Sequence, residues 1–144
     1  MQITYFTYGP FQENTYLIWD DQKNAAVIDP GCFSAQECAH LKAQIESHGL
    51  NLKQHLLTHA HIDHVAGCQF IADEYGLLPI MSELSQSIYH AAPMQAKMFG
   101  LQSFGLPEIG AIYNLDIPVI VGDLELDLRH TPGHEPGHVV MHHK

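Results

Sequence analysis

Hydrophobic and polar positions divide the chain into short alternating runs, apolar blocks and two polar corners. Gln2 to Tyr8 alternates and is rich in Thr, Tyr and Phe; Gly9-Pro10 breaks it, and Asn14 to Trp19 forms a second run. Asp20 to Asn24 reads as a hairpin turn into a third strand, Ala25 to Ile28, so the chain opens as a β-meander. Ser34-Ala35-Gln36-Glu37 is a capping box, whose hydroxyl and carboxylate satisfy orphan amides at a helix start. The helix runs to about His48, with Cys38, Leu41 and Ile45 on one face and Gly49 as its stop. Leu50 to Thr58 returns as a strand. Val65 to Tyr75 reads as a helix closed by Gly76, and Leu77 to Met81 as a short strand. Ser82 to about Phe104 is helical but broken at Pro93, and its Met94, Met98, Phe99 and Leu101 read as core rather than ligand contacts. Ile117 to Val121 and Leu124 to Arg129 form a hairpin around Gly122-Asp123. The class is mixed α/β.

The two polar corners carry the candidate chemistry. Thr58-His59-Ala60-His61-Ile62-Asp63-His64 packs three imidazoles and a carboxylate into six positions after the apolar pair Leu56-Leu57. Residues two apart in extended backbone point the same way, so His59 and His61 can approach one ion together. Where the chain turns into a helix, Asp63 and His64 can face a second position beside the first. Imidazole suits zinc, iron and related metals, and a carboxylate adds negative charge. The cluster follows a β-α-β order and sits at the carboxyl end of a strand, where open α/β sheets place their ligands. The second corner is His130-Thr131-Pro132-Gly133-His134-Glu135-Pro136-Gly137-His138, a rigid double turn that holds His134 between two Pro-Gly units. His134 is the third expected ligand; His130 and His138 read as histidines bonded to backbone. Asp29, before Pro30-Gly31, reads equally as turn chemistry or as a carboxylate that orients a metal-bound histidine.

Composition narrows the setting. A chain of 144 residues builds one domain with a proper core and is too short for two. Twelve histidines, twice the count of Lys plus Arg, fit metal chemistry. The net charge of −10 has the wrong sign for phosphate backbones, so nucleic acid is not an expected partner. Cys32, Cys38 and Cys68 are odd in number and lack C-x-x-C pairing, which predicts reduced, buried thiols. No apolar run is long enough to span a bilayer, and Met1 to Phe6 lacks a secretory signal pattern. The expected location is the cytoplasm, without a membrane partner.

With THAHIDHVAG at Thr58 to Gly67 and HTPGHEPGH at His130 to His138, the sequence resembles the metallo-β-lactamase superfamily, in its glyoxalase II-like branch. Asn14-Thr15-Tyr16-Leu17 and Val27-Ile28-Asp29-Pro30-Gly31 support the resemblance, which spans nearly the whole chain. It implies an αββα sandwich of which this chain is the N-terminal portion. It places His59, His61 and His134 on a first metal and Asp63 and His64 on a second, with Asp63 also acting in catalysis and Asp29 orienting a ligand. Zinc is the implied metal, and the same donors accept iron or manganese. Glu135 stands where the family often carries Ser or Thr.

The family continues to a Gly-Asp whose carboxylate bridges both metals and to a further histidine, whereas this sequence stops at His142-His143-Lys144. Gly122-Asp123 precedes His134 and cannot take the bridging role in that order. The expectation is a longer protein, or a partner chain, such as a second copy in a homo-oligomer, that completes the site. The implied activity is hydrolysis of a small-molecule hydroxyacyl thioester by a metal-activated hydroxide. The alternatives are a mononuclear-iron persulfide dioxygenase of the same fold and a catalytically incomplete fragment.

Overall fold

The computed structural model describes residues 1–144. Strands β1 (Gln2–Tyr8), β2 (Glu13–Trp19) and β3 (Asn24–Ile28) pair antiparallel in sequence order, which is the expected meander. Helix α1 (Ala35–Ser47) crosses over to β4 (Asn51–Leu56), which lies parallel to β3. The Ser34 cap forms both halves of the capping box with Glu37. Next come α2 (Ile62–Val65), α3 (Cys68–Tyr75), β5 (Ile80–Met81), α4 (Gln86–Met98) and β6 (Ala111–Ile112), with β5 and β6 extending the first sheet in parallel to six strands. A second sheet of β7 (Val119–Val121), β8 (Leu124–His130) and β9 (Val139–His142) is antiparallel.

Both faces of β2 and β3 are buried, which is why their sequences run apolar instead of alternating. Leu17, Trp19, Ala25 and Val27 pack under Leu41 and Ile45 of α1 and Ile71 of α3. Ile18, Ala26 and Ile28 face the other way and meet Val121, Leu124, Leu126 and Leu128 of the second sheet. The layers are therefore helix, sheet, sheet, and the outer face of the second sheet leaves Ile120 and Val140 exposed. The Val139 N–H donates to the Thr58 carbonyl at 2.9 Å, tying the second sheet to the end of β4, where both polar corners lie. No helix is long and apolar enough to cross a membrane.

Three expectations change. The helix expected from Val65 is two helices, because the chain breaks at Ala66-Gly67 so that the Gly67 N–H can donate to the Pro30 carbonyl at 2.7 Å. A Cβ at Gly67 would lie 2.4 Å from Cys32 Sγ, so the approach needs glycine. Helix α4 runs through Pro93 without a break, its Tyr89, Ala92 and Ala96 fully buried, and packing outweighs the missing donor there. Met94, Met98 and Phe99 are exposed at 62, 81 and 65%, so they are not core.

His55, on β4, is fully buried; its Nδ1 lies 3.1 Å from the Leu77 carbonyl, to which it donates, and its Nε2 has no partner. Burial lowers its pKa to about 4. The folded pKa is depressed below the unfolded value near 6.5, so between those two values only the unfolded chain takes up the proton. Stability should fall by about 3 kcal/mol from this group alone as pH drops from 7 to 4. Urea unfolding of wild type and His55→Asn at both pH values checks it: the variant should lose that much less stability than wild type over the interval.

Candidate metal centre

The elements above deliver the two corners to one place. His59 and His61 lie in the extended link after β4, Asp63 and His64 in α2, and His134 in the turn between β8 and β9. His59 Nε2 lies 3.2 Å from His134 Nε2, and His61 Nδ1 lies 3.1 Å from the same His134 atom. Nitrogens bound to one tetrahedral zinc are about 3.3 Å apart, given Zn–N bonds of ~2.0–2.1 Å. Three imidazoles from two distant segments thus present donors at a metal's spacing, and the residues fit the ion.

The proton positions follow from a short relay. Asp29 accepts from the Thr58 N–H at 2.7 Å and from the Thr58 hydroxyl at 2.5 Å. With its proton given to Asp29, the Thr58 hydroxyl can only accept from His59 Nδ1, 2.9 Å away. His59 Nε2 is then left as a lone pair aimed at His134. Burial and the neighbouring imidazoles of His64, His61, His138 and His134 lower the His59 pKa to about 2, so the ring stays neutral. Burial and His134 also lower that of His61. Asp29 itself sits at φ +51°, a left-handed conformation costly for a non-glycine residue, and such strain concentrates at functional sites.

A second group adjoins the first. His64 Nε2 lies 3.6 Å from Asp63 Oδ2, and its Nδ1 lies 3.0 Å from Asp29 Oδ2. Burial opposes charge on His64, but the contact with Asp29 and the charges of Asp29 and Asp63 outweigh it and raise its pKa. Asp29, His59 and His64 also form a compact group with donor atoms close enough to share an ion. Asp29 therefore does more than make a turn: it touches both Thr58 and His64.

Two further carboxylates were not among the site residues expected from the sequence. Glu13 is buried, accepts from the Thr15 hydroxyl at 3.0 Å, and holds its other oxygen, unpartnered, 4.0 Å from His64 Nδ1. Burial and the Asp29 charge raise its pKa to about 9. Its signal was legible: Glu13 and Thr15 share the inward face at the start of an otherwise apolar strand. Glu135, also buried, accepts from the Ser85 hydroxyl at 3.0 Å and the Gly137 N–H at 2.8 Å, which fastens the His134 turn to the start of α4. His130 Nε2 bonds the Pro136 carbonyl at 2.7 Å and His138 Nδ1 meets the Thr131 hydroxyl at 2.8 Å, so both rings are held within the turn.

The sequence profile of the metallo-beta-lactamase superfamily matches residues 8–144. The chain belongs to that superfamily. Members of the metallo-beta-lactamase superfamily are generally metal-dependent hydrolases. The chain is 38% identical over 146 residues to the hydroxyacylglutathione hydrolase GloC of Haemophilus influenzae, covering 96% of this chain and 65% of that relative. It therefore spans just under two thirds of that relative's length. Among solved structures, the B3 metallo-beta-lactamase BLEG-1 superposes with a TM-score of 0.84 at 23% identity, over 99% of this chain and 67% of that one. A protein crystallised in a di-iron-bound form superposes with a TM-score of 0.82 at 31% identity, over 96 and 66%.

The Asp29 contacts give a direct test. Asp29→Asn keeps the shape but replaces a carboxylate that accepts from both the Thr58 N–H and the Thr58 hydroxyl with an amide that can accept through only one of its two atoms. Partners of this kind are worth ~10–100-fold in metal affinity. Titration with Co2+, followed by its visible absorption, should show weakening within that range; an unchanged affinity would leave Asp29 with a turn role alone.

Proposed function

We propose that the chain carries the metal-binding part of a metal-dependent hydrolase for hydroxyacyl thioesters. The observation that supports it best is the convergence of His59 Nε2, His61 Nδ1 and His134 Nε2 beside the Asp63–His64 pair. The relative named as a hydroxyacylglutathione hydrolase supports the substrate class. Zinc suits the imidazole donors, and iron or manganese suits the same set once Asp63 is included. A bound divalent ion supplies a lowered water pKa and polarises a carbonyl oxygen.

The chain's own residues set the geometry for that chemistry. Asp29 and Thr58 fix the His59 tautomer, and Glu135 fixes the turn that presents His134. To Asp63, on the floor of the hollow described below, this reading assigns the acceptance of a proton from an attacking water. His64, held by Asp29 at Nδ1, turns Nε2 toward Asp63. At the second position this chain would offer Asp63 and His64 as donors.

The test is thiol release from S-lactoylglutathione by protein loaded with zinc, iron or manganese, alongside metal analysis of the purified chain. Metal-dependent release that disappears with a chelator is the expected result. Metal binding without any thioester hydrolysis would overturn the substrate class. Iron-dependent oxygen uptake with glutathione persulfide would replace the hydrolase by the dioxygenase alternative.

A further inference from the structure

A hollow of about 560 Å3 opens directly beside the metal corner, with His61, Asp63 and His134 on its floor. Its walls are Phe11, Ile62, Met98 and Phe99, with Gln95 as the uncharged polar group, and no Lys or Arg lines it. We propose that this hollow receives an uncharged, apolar arm of the substrate, acyl or thiol, while the scissile carbonyl sits at the His61–Asp63–His134 floor. The inference rests on the hydrolase reading above and narrows its substrate class to thioesters with an alkyl or aryl arm, held by Phe11, Met98 and Phe99.

Four observations carry it. Met98, Phe99 and Phe11 expose 81, 65 and 45% of their surface, and contiguous exposed apolar surface marks a binding region. Phe11 comes from the β1–β2 turn and Phe99 from the end of α4, yet their rings meet edge to face with centroids 5.8 Å apart, forming one rim. The turn that presents Phe11 is bounded by Gly9 at φ +68° and Gln12 at φ +55°, the latter a strained conformation for a side-chain-bearing residue. Finally, the volume lies within the ~300–1,000 Å3 of small-molecule sites, and a mostly apolar lining with a few polar groups is their usual chemistry. No Lys or Arg lines the walls, so a carboxylate-bearing arm lying along Phe11, Met98 and Phe99 finds no side-chain counter-charge there.

The probes are S-alkyl thioethers of N-acetylcysteamine, from ethyl to octyl, which resist hydrolysis, titrated calorimetrically into the full chain as purified. Affinity is expected to rise about fourfold per methylene until the hollow fills. The Met98→Ser/Phe99→Ser double variant should flatten that rise, and the Met98 methyl resonance of the wild type should shift on titration. Both side chains are exposed, and far-UV circular dichroism verifies that the variant is folded. A flat wild-type series, a rise retained in the variant, or an unmoved Met98 methyl would each overturn the proposal. Parallel assays with acyl-chain and thiol-chain series of thioesters assign the arm. Length-dependent thioether binding without hydrolysis of any thioester sinks the hydrolase reading but leaves the apolar site standing. Hydrolysis with no length dependence does the reverse.

Discussion

Replacing His134 with alanine is expected to lower the affinity of the chain for a divalent cation by at least about a hundredfold. Four-ligand zinc sites are worth ~10–16 kcal/mol, so one imidazole carries on the order of 3 kcal/mol, or a little over two decades in affinity. His134 is central in the geometry: its Nε2 is the atom that lies 3.2 Å from His59 and 3.1 Å from His61. Without it, His59 and His61 lose the one nitrogen that both of them face. Competition with a chromophoric chelator measures the loss, and thioester hydrolysis, if present, should fall with it. The exposed His90 is the control, because a chain with twelve histidines offers weak surface sites. Equal affinities for His134→Ala, His90→Ala and wild type would mean that the ion binds elsewhere.

The second large effect is expected at Gly31. A Cβ there would lie 2.0 Å from Glu13 Oε2 and 2.5 Å from the Asp63 carbonyl oxygen. Glu13 is buried and cannot swing away, and the Asp63 oxygen is backbone, so the methyl forces the Asp29 turn and the start of α2 apart. Overpacking of this kind costs about 3 kcal/mol, which lowers the melting temperature of a chain this size by roughly 10 °C. It should also weaken the metal centre, because Asp29 and Asp63 lie on the two segments being separated. Thermal melts followed by circular dichroism decide it. An alanine variant that melts within about 2 °C of wild type would show that the two segments have slack.

Much of this site was legible because its parts are local. The strand ahead of Thr58 and the helix behind it put His59, His61, Asp63 and His64 in a single corner, and the Pro-Gly turns around His134 announce a fixed geometry. What the sequence does not carry is contact between segments far apart in the chain. Asp29 could be read as a turn residue or an orienting carboxylate until its bonds to Thr58 and its contact with His64 were in view. The break at Gly67 depends on Pro30 and Cys32, and the role of Glu135 depends on Ser85, fifty positions away. Met94, Met98 and Phe99, expected as core because they are apolar residues in a helical stretch, are exposed, and Met98 and Phe99 line a hollow instead. The strand that went unseen is β6, whose two residues are defined by their pairing with β5.

His134 stands 75 residues from His59 and 73 from His61. An ion gripped by all three is thus a removable cross-link between the middle of the chain and its last hairpin. Because the disordered chain cannot offer that grip, each loaded molecule is drawn toward the native state by mass action, in proportion to the logarithm of free ion over its dissociation constant. On the proposed reading, scarcity of the ion would therefore be felt as a shorter-lived fold, read as faster proteolysis of the unloaded chain.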